Sequence, residues 1–310
     1  MTARIRSRKW GSWPVALVLV ATMGCAAPMS AQAPPAQAPP APAPAPQAPP
    51  PPAPPAHDLL NAVLWMQRSV EYKATAMGAF ALARLRLDQA LADPTWTAVV
   101  PKELSGPYQS LPPAVILDVD ETILDNSGYQ AWMTAKGTTF DPKTWNAYVN
   151  TVTSLAIPGA VEFTRYAAAK GVKVFYVSNR TAEEEPATRK NLEKFGFPLD
   201  GAVDTALMAR ERPDWGSAKG TRRAYIAKSY RILLNLGDNF GDFVDEYRGT
   251  EAERLKVFEE HKQRWGREWI MIANPTYGSF EMAPFNHDGK LSNADKRKAK
   301  RGVLEAWPGP

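Results

Sequence analysis

The sequence is poor in residues that staple or ligate small domains. It has one cysteine, Cys25, in 310 residues, which excludes an internal disulfide framework and a cysteine-based zinc site. Its three histidines, His57, His261 and His287, are too scattered to suggest a metal centre. No apolar run is long enough to span a bilayer comfortably; residues 14–23 come nearest and are too short. The charge imbalance is also slight. Formal net charge is +5, but Arg4, Arg6, Arg8 and Lys9 fall in the first 24 residues, which contain no Asp or Glu. If that segment is removed, most of the surplus leaves with it. The basic balance therefore gives no case for a nucleic-acid partner, and the basic stretch 296–301 reads as a solvated helix end.

What is present begins with a basic n-region and a short apolar run, the layout of a secretory signal over residues 1–24. Thr22, Met23, Gly24 and Cys25 resemble the bacterial lipobox, in which the cysteine is acylated and becomes the new N-terminus. Gly24 fits that pattern, and Thr22 stands where Leu is usual. Ordinary cleavage near Ala27 or Ala31 is the alternative, and either way the mature chain is expected to be exported. Residues 25–56 are dominated by Pro, Ala and Gln, the composition of an extended polyproline II stalk rising about 3.1 Å per residue. A globular body is expected over 57–310.

Within that body, apolar residues at helical spacing (Leu60, Val63, Leu64, Met66, Met77, Phe80, Ala83, Leu85) predict a long helix or helical hairpin over 57–92, most of them core. Asp93-Pro94 ends it, within an added N-terminal segment reaching about residue 105. Residues 115–126, VILDVDETILDN, are the pivot of the chain. Val115, Ile116 and Leu117 suit a strand buried on both faces, and the chain then turns acidic at Asp118, Asp120 and Glu121. Carboxylates at the end of a buried strand are costly unless paired, protonated or metal-bound; a solvated acidic turn is the plainer reading. Further strands are expected over 172–177, 202–208, 231–236 and 269–273, with helices between. That alternation predicts a mainly parallel α/β sheet flanked by helices. An insert at 127–157 carries Tyr129, Trp132, Phe140, Trp145 and Tyr148, either as a packing unit or as a cap that stacks on a flat ring.

The strand ends need one another. If all face one crevice, they bring together Asp118 and Asp120, Ser178 and Asn179, Lys219, and Asp238 and Asp242. Carboxylates so gathered require a cation, and an all-oxygen set suits Mg²⁺. Ser178, Asn179 and Lys219 then serve as donors to phosphate oxygens. Arg222 and Arg223 read as helix-surface residues.

Taken in order, these motifs (DVDET, the serine after a strand, the lysine, and GD-x-x-x-D) resemble the haloacid dehalogenase (HAD) superfamily. Within it, residues 116–129, 176–180, 232–243 and 274–281 are similar to the class C acid phosphatases, often exported lipoproteins with 5′-nucleotidase activity. The resemblance covers roughly residues 59–281 and implies a HAD-like, Rossmann-type fold with a small aromatic cap. It implies that Asp118 is the nucleophile and Asp120 the general acid and base. Mg²⁺ is then held by Asp118, Asp238 and the backbone carbonyl of Asp120, with Asp242 ordering a metal water or Lys219. Trp145 and Tyr277 are the implied ring-stacking pair, and the implied substrate is a phosphate monoester, a 5′-nucleotide. A broad phosphatase without nucleotide preference and a non-catalytic surface binding lipoprotein remain as alternatives. The expected location is the outer membrane, through a lipid on Cys25, or the periplasm. A homodimer is left open.

Overall fold

The computed structural model describes residues 56–309. The expected signal, Cys25 and the stalk up to residue 55 lie outside the described residues. Among the described residues, no helix is long and apolar enough to cross a membrane.

The body opens with α1 (Leu60–Arg68) and α2 (Val70–Ala92). One residue separates them. Ser69 is extended (φ −80°, ψ 145°) and its hydroxyl accepts from the Tyr72 backbone N–H, so it caps α2 at the cost of breaking α1. The segment is therefore neither one continuous helix nor a hairpin with a loop. The buried stripe of α2 is Tyr72, Ala76, Phe80, Ala83, Leu87 and Ala90. Leu60, Leu64, Met77 and Leu85, expected in the core, are exposed. Apolar residues occur all round these helices, so spacing alone does not say which face turns inward.

Next comes β1 (Pro113–Leu117), then a two-residue strand β2 (Leu124–Asp125). The aromatic insert follows as α3 (Ser127–Lys136) and α4 (Pro142–Val149), returning through β3 (Leu155–Ala156). β2 and β3 pair antiparallel, so the insert stands on a two-stranded neck. Asp141 caps α4 by accepting from the N–H groups of Lys143 and Thr144. The chain then alternates through α5 (Ala160–Ala169), β4 (Lys173–Thr181), α6 (Glu185–Phe195), β5 (Ala206–Ala209), α7 (Gly220–Ala227), β6 (Arg231–Gly237), α8 (Glu251–Glu260) and β7 (Trp269–Met271). It closes with α9 (Ser279–Met282) and α10 (Asn293–Gly302).

The five longer strands form one parallel sheet in the order β5-β4-β1-β6-β7. Successive residues of β1 face opposite sides. Val115 and Leu117 join a cluster with Phe80 and Leu87 of α2 and Phe163 of α5. Ala114 and Ile116 join another with Phe175, Ile226 of α7 and Trp269. Helices thus cover both faces, as a near-continuous apolar strand requires. Leu117 is in register with Tyr176 of β4 and with Leu236 of β6. The chain leaves β1 to build one half of the sheet on β4 and the other on β6. The crevice beyond the carboxyl end of β1 is therefore a topological switch point, where open α/β sheets bind ligands.

Candidate active site

Asp118 follows the last residue of β1 and its backbone N–H still bonds Leu236 O of β6 at 2.9 Å. That ladder bond fixes the side chain beside the turn after β6, which carries Asp238 and Asp242. Asn239 and Asp242 form a reciprocal cap there: Asp242 Oδ2 accepts from Asn239 N at 2.9 Å. Gly237 is obligatory, since a Cβ at that position would lie 2.3 Å from Asp242 Oδ2. Each of Asp118, Asp238 and Asp242 offers a carboxylate oxygen, and these lie within 4.8 Å of one another.

Lys219, at the start of α7, reaches into this cluster. Its Nζ pairs with Asp118 and stands 2.7 Å from Asp242 Oδ1. Burial pulls the lysine down, but Asp118 and Asp242 outweigh it and hold Lys219 above the ordinary lysine value. Burial, reinforced by Asp242 and Asp120 and opposed by Lys219, pushes Asp118 up to about 7. Asp238 is raised for the same reason, by burial and then by its acidic neighbours, with Asn274 Nδ2 donating to its Oδ2 at 2.8 Å. One buried lysine does not balance this many carboxylates. A hard divalent cation with oxygen ligands does, and the donor set fits Mg²⁺.

Asp120 lies across from this cluster and is gripped differently. Its Oδ1 accepts from Arg180 Nε at 2.9 Å, Arg180 Nη2 at 2.8 Å and Asn126 Nδ2 at 2.9 Å. Its Oδ2 has only longer contacts, from Arg180 Nε at 3.3 Å and Ser178 Oγ at 3.4 Å. One oxygen is pinned and the other is comparatively free. Arg180 is missing from the motif-based expectations although it stands in the same SNR string. β4 runs past residue 177 to Thr181, and this extension carries Arg180 under the site.

A model of the family "HAD superfamily, subfamily IIIB (Acid phosphatase)" matches residues 50–280. The chain belongs to that family. Among solved structures, the class C acid phosphatase from Bacillus anthracis superposes with a TM-score of 0.70 at 32% identity, covering 80% of this chain and 97% of that one. The same enzyme with tungstate bound gives equal figures. Acid phosphatase 1 of Solanum lycopersicum is 26% identical over 145 residues, and the stem 28 kDa glycoprotein of Glycine max is 22% identical over 152. Those matches take in 55% and 56% of the two plant proteins, so the chain spans about half the length of the curated relatives it matches. The five-stranded parallel sheet with its flanking helices is accordingly the HAD-like fold.

In this member of the acid phosphatase family, Asp118, Asp120, Asn179, Lys219, Asp238, Asp242 and Tyr277 line one cavity of about 560 Å³. Ser178 does not. It is fully buried, and its hydroxyl accepts from Arg180 N at 3.0 Å and faces Asp120. Trp145 lines an adjoining cavity of about 540 Å³, with Asn179 and Ser217 common to both. It packs against Tyr129, with ring centroids 5.2 Å apart, and against Phe140 and Tyr148, and Arg180 lies 5.6 Å from its ring. The two aromatic candidates thus occupy neighbouring chambers.

Arg222 and Arg223 are both buried, which overturns their reading as surface residues. Arg222 donates to Ser178 O, to Asn179 Oδ1 at 2.7 Å and to Gly216 O at 3.0 Å. It clamps the end of β4 to the loop before Lys219 and leaves the Asn179 amide nitrogen as the group free to face the cavity. Burial lowers Arg222 to about 10. Arg223 bonds Glu103 at 2.6 Å and Asp242 O at 2.9 Å, bracing the turn that carries Asp242. Spacing gives no sign of either role, because the partners come from distant segments.

The raised carboxyls have a measurable consequence. Between the ordinary aspartate value of 3.8 and about 7, the unfolded chain releases the Asp118 proton and the folded chain keeps it. That contribution to stability is complete below the lower value and is lost as pH rises through the upper one. A bound cation needs the ionised form, so its stabilisation grows with pH. The melting temperature with Mg²⁺ minus that with EDTA is expected to widen from about pH 5 to about pH 8. A constant difference would argue against a metal at these carboxylates.

Proposed function

We propose that the protein is an exported, Mg²⁺-dependent acid phosphatase acting on phosphate monoesters, 5′-nucleotides foremost, through an aspartyl-phosphate on Asp118. The observation that carries this reading is the convergence of Asp118, Asp238 and Asp242 with Lys219 at the carboxyl ends of β1 and β6. Membership of an acid phosphatase family supports it. So does a similar protein solved with tungstate, an oxyanion of the kind a phosphate site accepts.

Asp118 would hold Mg²⁺ with Asp238 and the backbone carbonyl of Asp120. When bound, the ion neutralises charge on the phosphoryl oxygens and lets a carboxylate approach them. Asp118 attacks phosphorus and the bond to the ester oxygen breaks. Asp120 gives that oxygen its proton, then removes one from the water that hydrolyses the acyl phosphate. The grip on Oδ1 by Arg180 and Asn126 leaves Oδ2 as the oxygen to carry the proton. Lys219 and the Asn179 amide, on the same cavity wall, would bind and neutralise the oxygens of the transferring phosphoryl group. Asp242 orders Lys219. Tyr277 on the cavity wall and Trp145 in the adjoining chamber offer faces to a flat leaving group. Export and a lipid on Cys25 rest on the basic and apolar leader and the lipobox-like residues 22–25.

A second reading, a broad phosphatase without nucleotide preference, is favoured by the placement of Trp145 and Tyr277 around separate cavities. Phosphate release from a 5′-nucleotide and from glycerol phosphate, near pH 5 to 6, separates the two. The proposal expects Mg²⁺-dependent turnover, abolished by EDTA, with the nucleotide preferred. Equal turnover of both supports the broad reading. No release from any monoester by the folded protein with Mg²⁺ contradicts both, and leaves a non-catalytic surface binding protein.

A further inference from the structure

We infer that Glu121 is a positioning residue that holds the Tyr277 ring at the angle needed to stack on the leaving group. The inference rests on the phosphatase reading and concerns which monoesters that site prefers.

Glu121 is costly for the fold in two ways. It is fully buried, and it is a non-glycine residue with a positive φ of 58°, a conformation that side chains with a Cβ seldom adopt. Among the described residues, its carboxylate also has no ion-pair partner. Oε1 accepts from the Asn126 backbone N–H at 2.9 Å, and Oε2 accepts from the Tyr277 hydroxyl. Burying an acid among neutral donors is an expensive way to satisfy one backbone N–H. Costs concentrated in this manner directly behind a residue of the cavity wall, Tyr277, point to a positional task.

The task is visible in the loop that carries Tyr277. Both flanks of the loop are tied to the turn after β6: Asn274 Nδ2 donates to Asp238 Oδ2 at 2.8 Å, and Ser279 Oγ donates to Asn239 Oδ1 at 2.6 Å. Arg254 Nη1 holds Ser279 Oγ from behind at 2.8 Å. These bonds fix the backbone. They do not fix the tilt of the phenol, which lies between them on the cavity wall. The bond to Glu121 does. Because Glu121 also holds the Asn126 N–H at the start of the aromatic insert, one buried carboxylate sets the ring relative to both the insert and the nucleophile strand. A ring already oriented loses little freedom when a flat leaving group stacks on it. A small aliphatic leaving group has no face to present and gains nothing.

The test compares KM and kcat for a 5′-nucleotide and for glycerol phosphate in the full chain and three variants. Tyr277→Phe keeps the ring and removes the hydroxyl. It is expected to raise the nucleotide KM relative to that for glycerol phosphate by about tenfold, with the ratio of the two kcat values unchanged. Adding Glu121→Gln to Tyr277→Phe is expected to leave the shifted KM ratio where it is, since the carboxylate acts through the hydroxyl. An unshifted ratio in Tyr277→Phe overturns the inference, as does equal loss on both substrates. Should Glu121→Gln fail to fold, Tyr277→Phe alone still decides. Tyr277→Ala separates this inference from the reading beneath it. If Tyr277→Ala shifts the ratio and Tyr277→Phe does not, stacking survives and the role of Glu121 falls. If neither shifts it, the ring-stacking part of the functional reading falls as well, and the inference with it.

Discussion

Asp118→Asn is expected to lower phosphate release by about 10⁴-fold or more and to leave the protein folded. An amide oxygen is a far weaker nucleophile than a carboxylate, so the step that forms the acyl phosphate is lost. Folding should survive because the substitution relieves crowding. Asp118 is buried and pushed up to about 7 by burial and its acidic neighbours, so replacing it removes a charge that the metal-free fold resists. Lys219 keeps Asp242 at 2.7 Å. Without metal at neutral pH, Asp118→Asn should therefore melt no lower than the wild type. Residual turnover within tenfold of wild type would exclude Asp118 as the nucleophile.

Asp120→Asn is the second large effect, a loss on the order of 10² to 10⁴-fold, with a diagnostic dependence on the leaving group. An alkoxide needs a proton as the ester bond breaks, whereas a nitrophenolate leaves unaided. The first half-reaction should recover with p-nitrophenyl phosphate, while hydrolysis of the acyl phosphate, which uses Asp120 as base, stays slow. The fold pays here, unlike in the first case. Arg180 is almost fully buried and Asp120 is its ion-pair partner, so the amide leaves a buried guanidinium without its counter-charge, a loss of roughly 3 to 5 kcal/mol. Melting curves must accompany the rates. Wild-type turnover of nucleotides by Asp120→Asn would end the general-acid assignment.

The parts of this site legible in the sequence are those where one segment declares its own chemistry. A β-branched apolar run that turns abruptly acidic at Asp118 can hardly be other than a buried strand reaching a polar edge. The apolar strand 231–237, with its glycine and two aspartates beyond, says the same. Their adjacency follows from the parallel alternation of strands and helices. What stayed hidden was set by partners far along the chain. Arg223 is buried because Glu103, 120 residues away, comes to meet it, and Arg222 because it clamps the end of β4. Both look like ordinary surface arginines in the string GTRRAY. The exposure of Leu60, Leu64, Met77 and Leu85 was equally illegible, since helices that are apolar all round carry no sign of which face is covered. The single-residue break at Ser69 depends on its hydroxyl choosing to cap the second helix over continuing the first. Trp145 and Tyr277 were paired by motif, but Trp145 shares its chamber with other residues of the insert, and Tyr277 lines the one that holds the aspartates.

The most direct measurement is acid-quench mass spectrometry of Asp120→Asn mixed with p-nitrophenyl phosphate and Mg²⁺. This variant and this substrate are expected to form the acyl phosphate readily and to hydrolyse it slowly, so the intermediate should accumulate. One phosphoryl group per chain, on the peptide carrying Asp118 and absent when Asp118 is also replaced by Asn, is the predicted result. A rapid release of nitrophenolate with no labelled peptide, or a label on any other residue, would contradict the account.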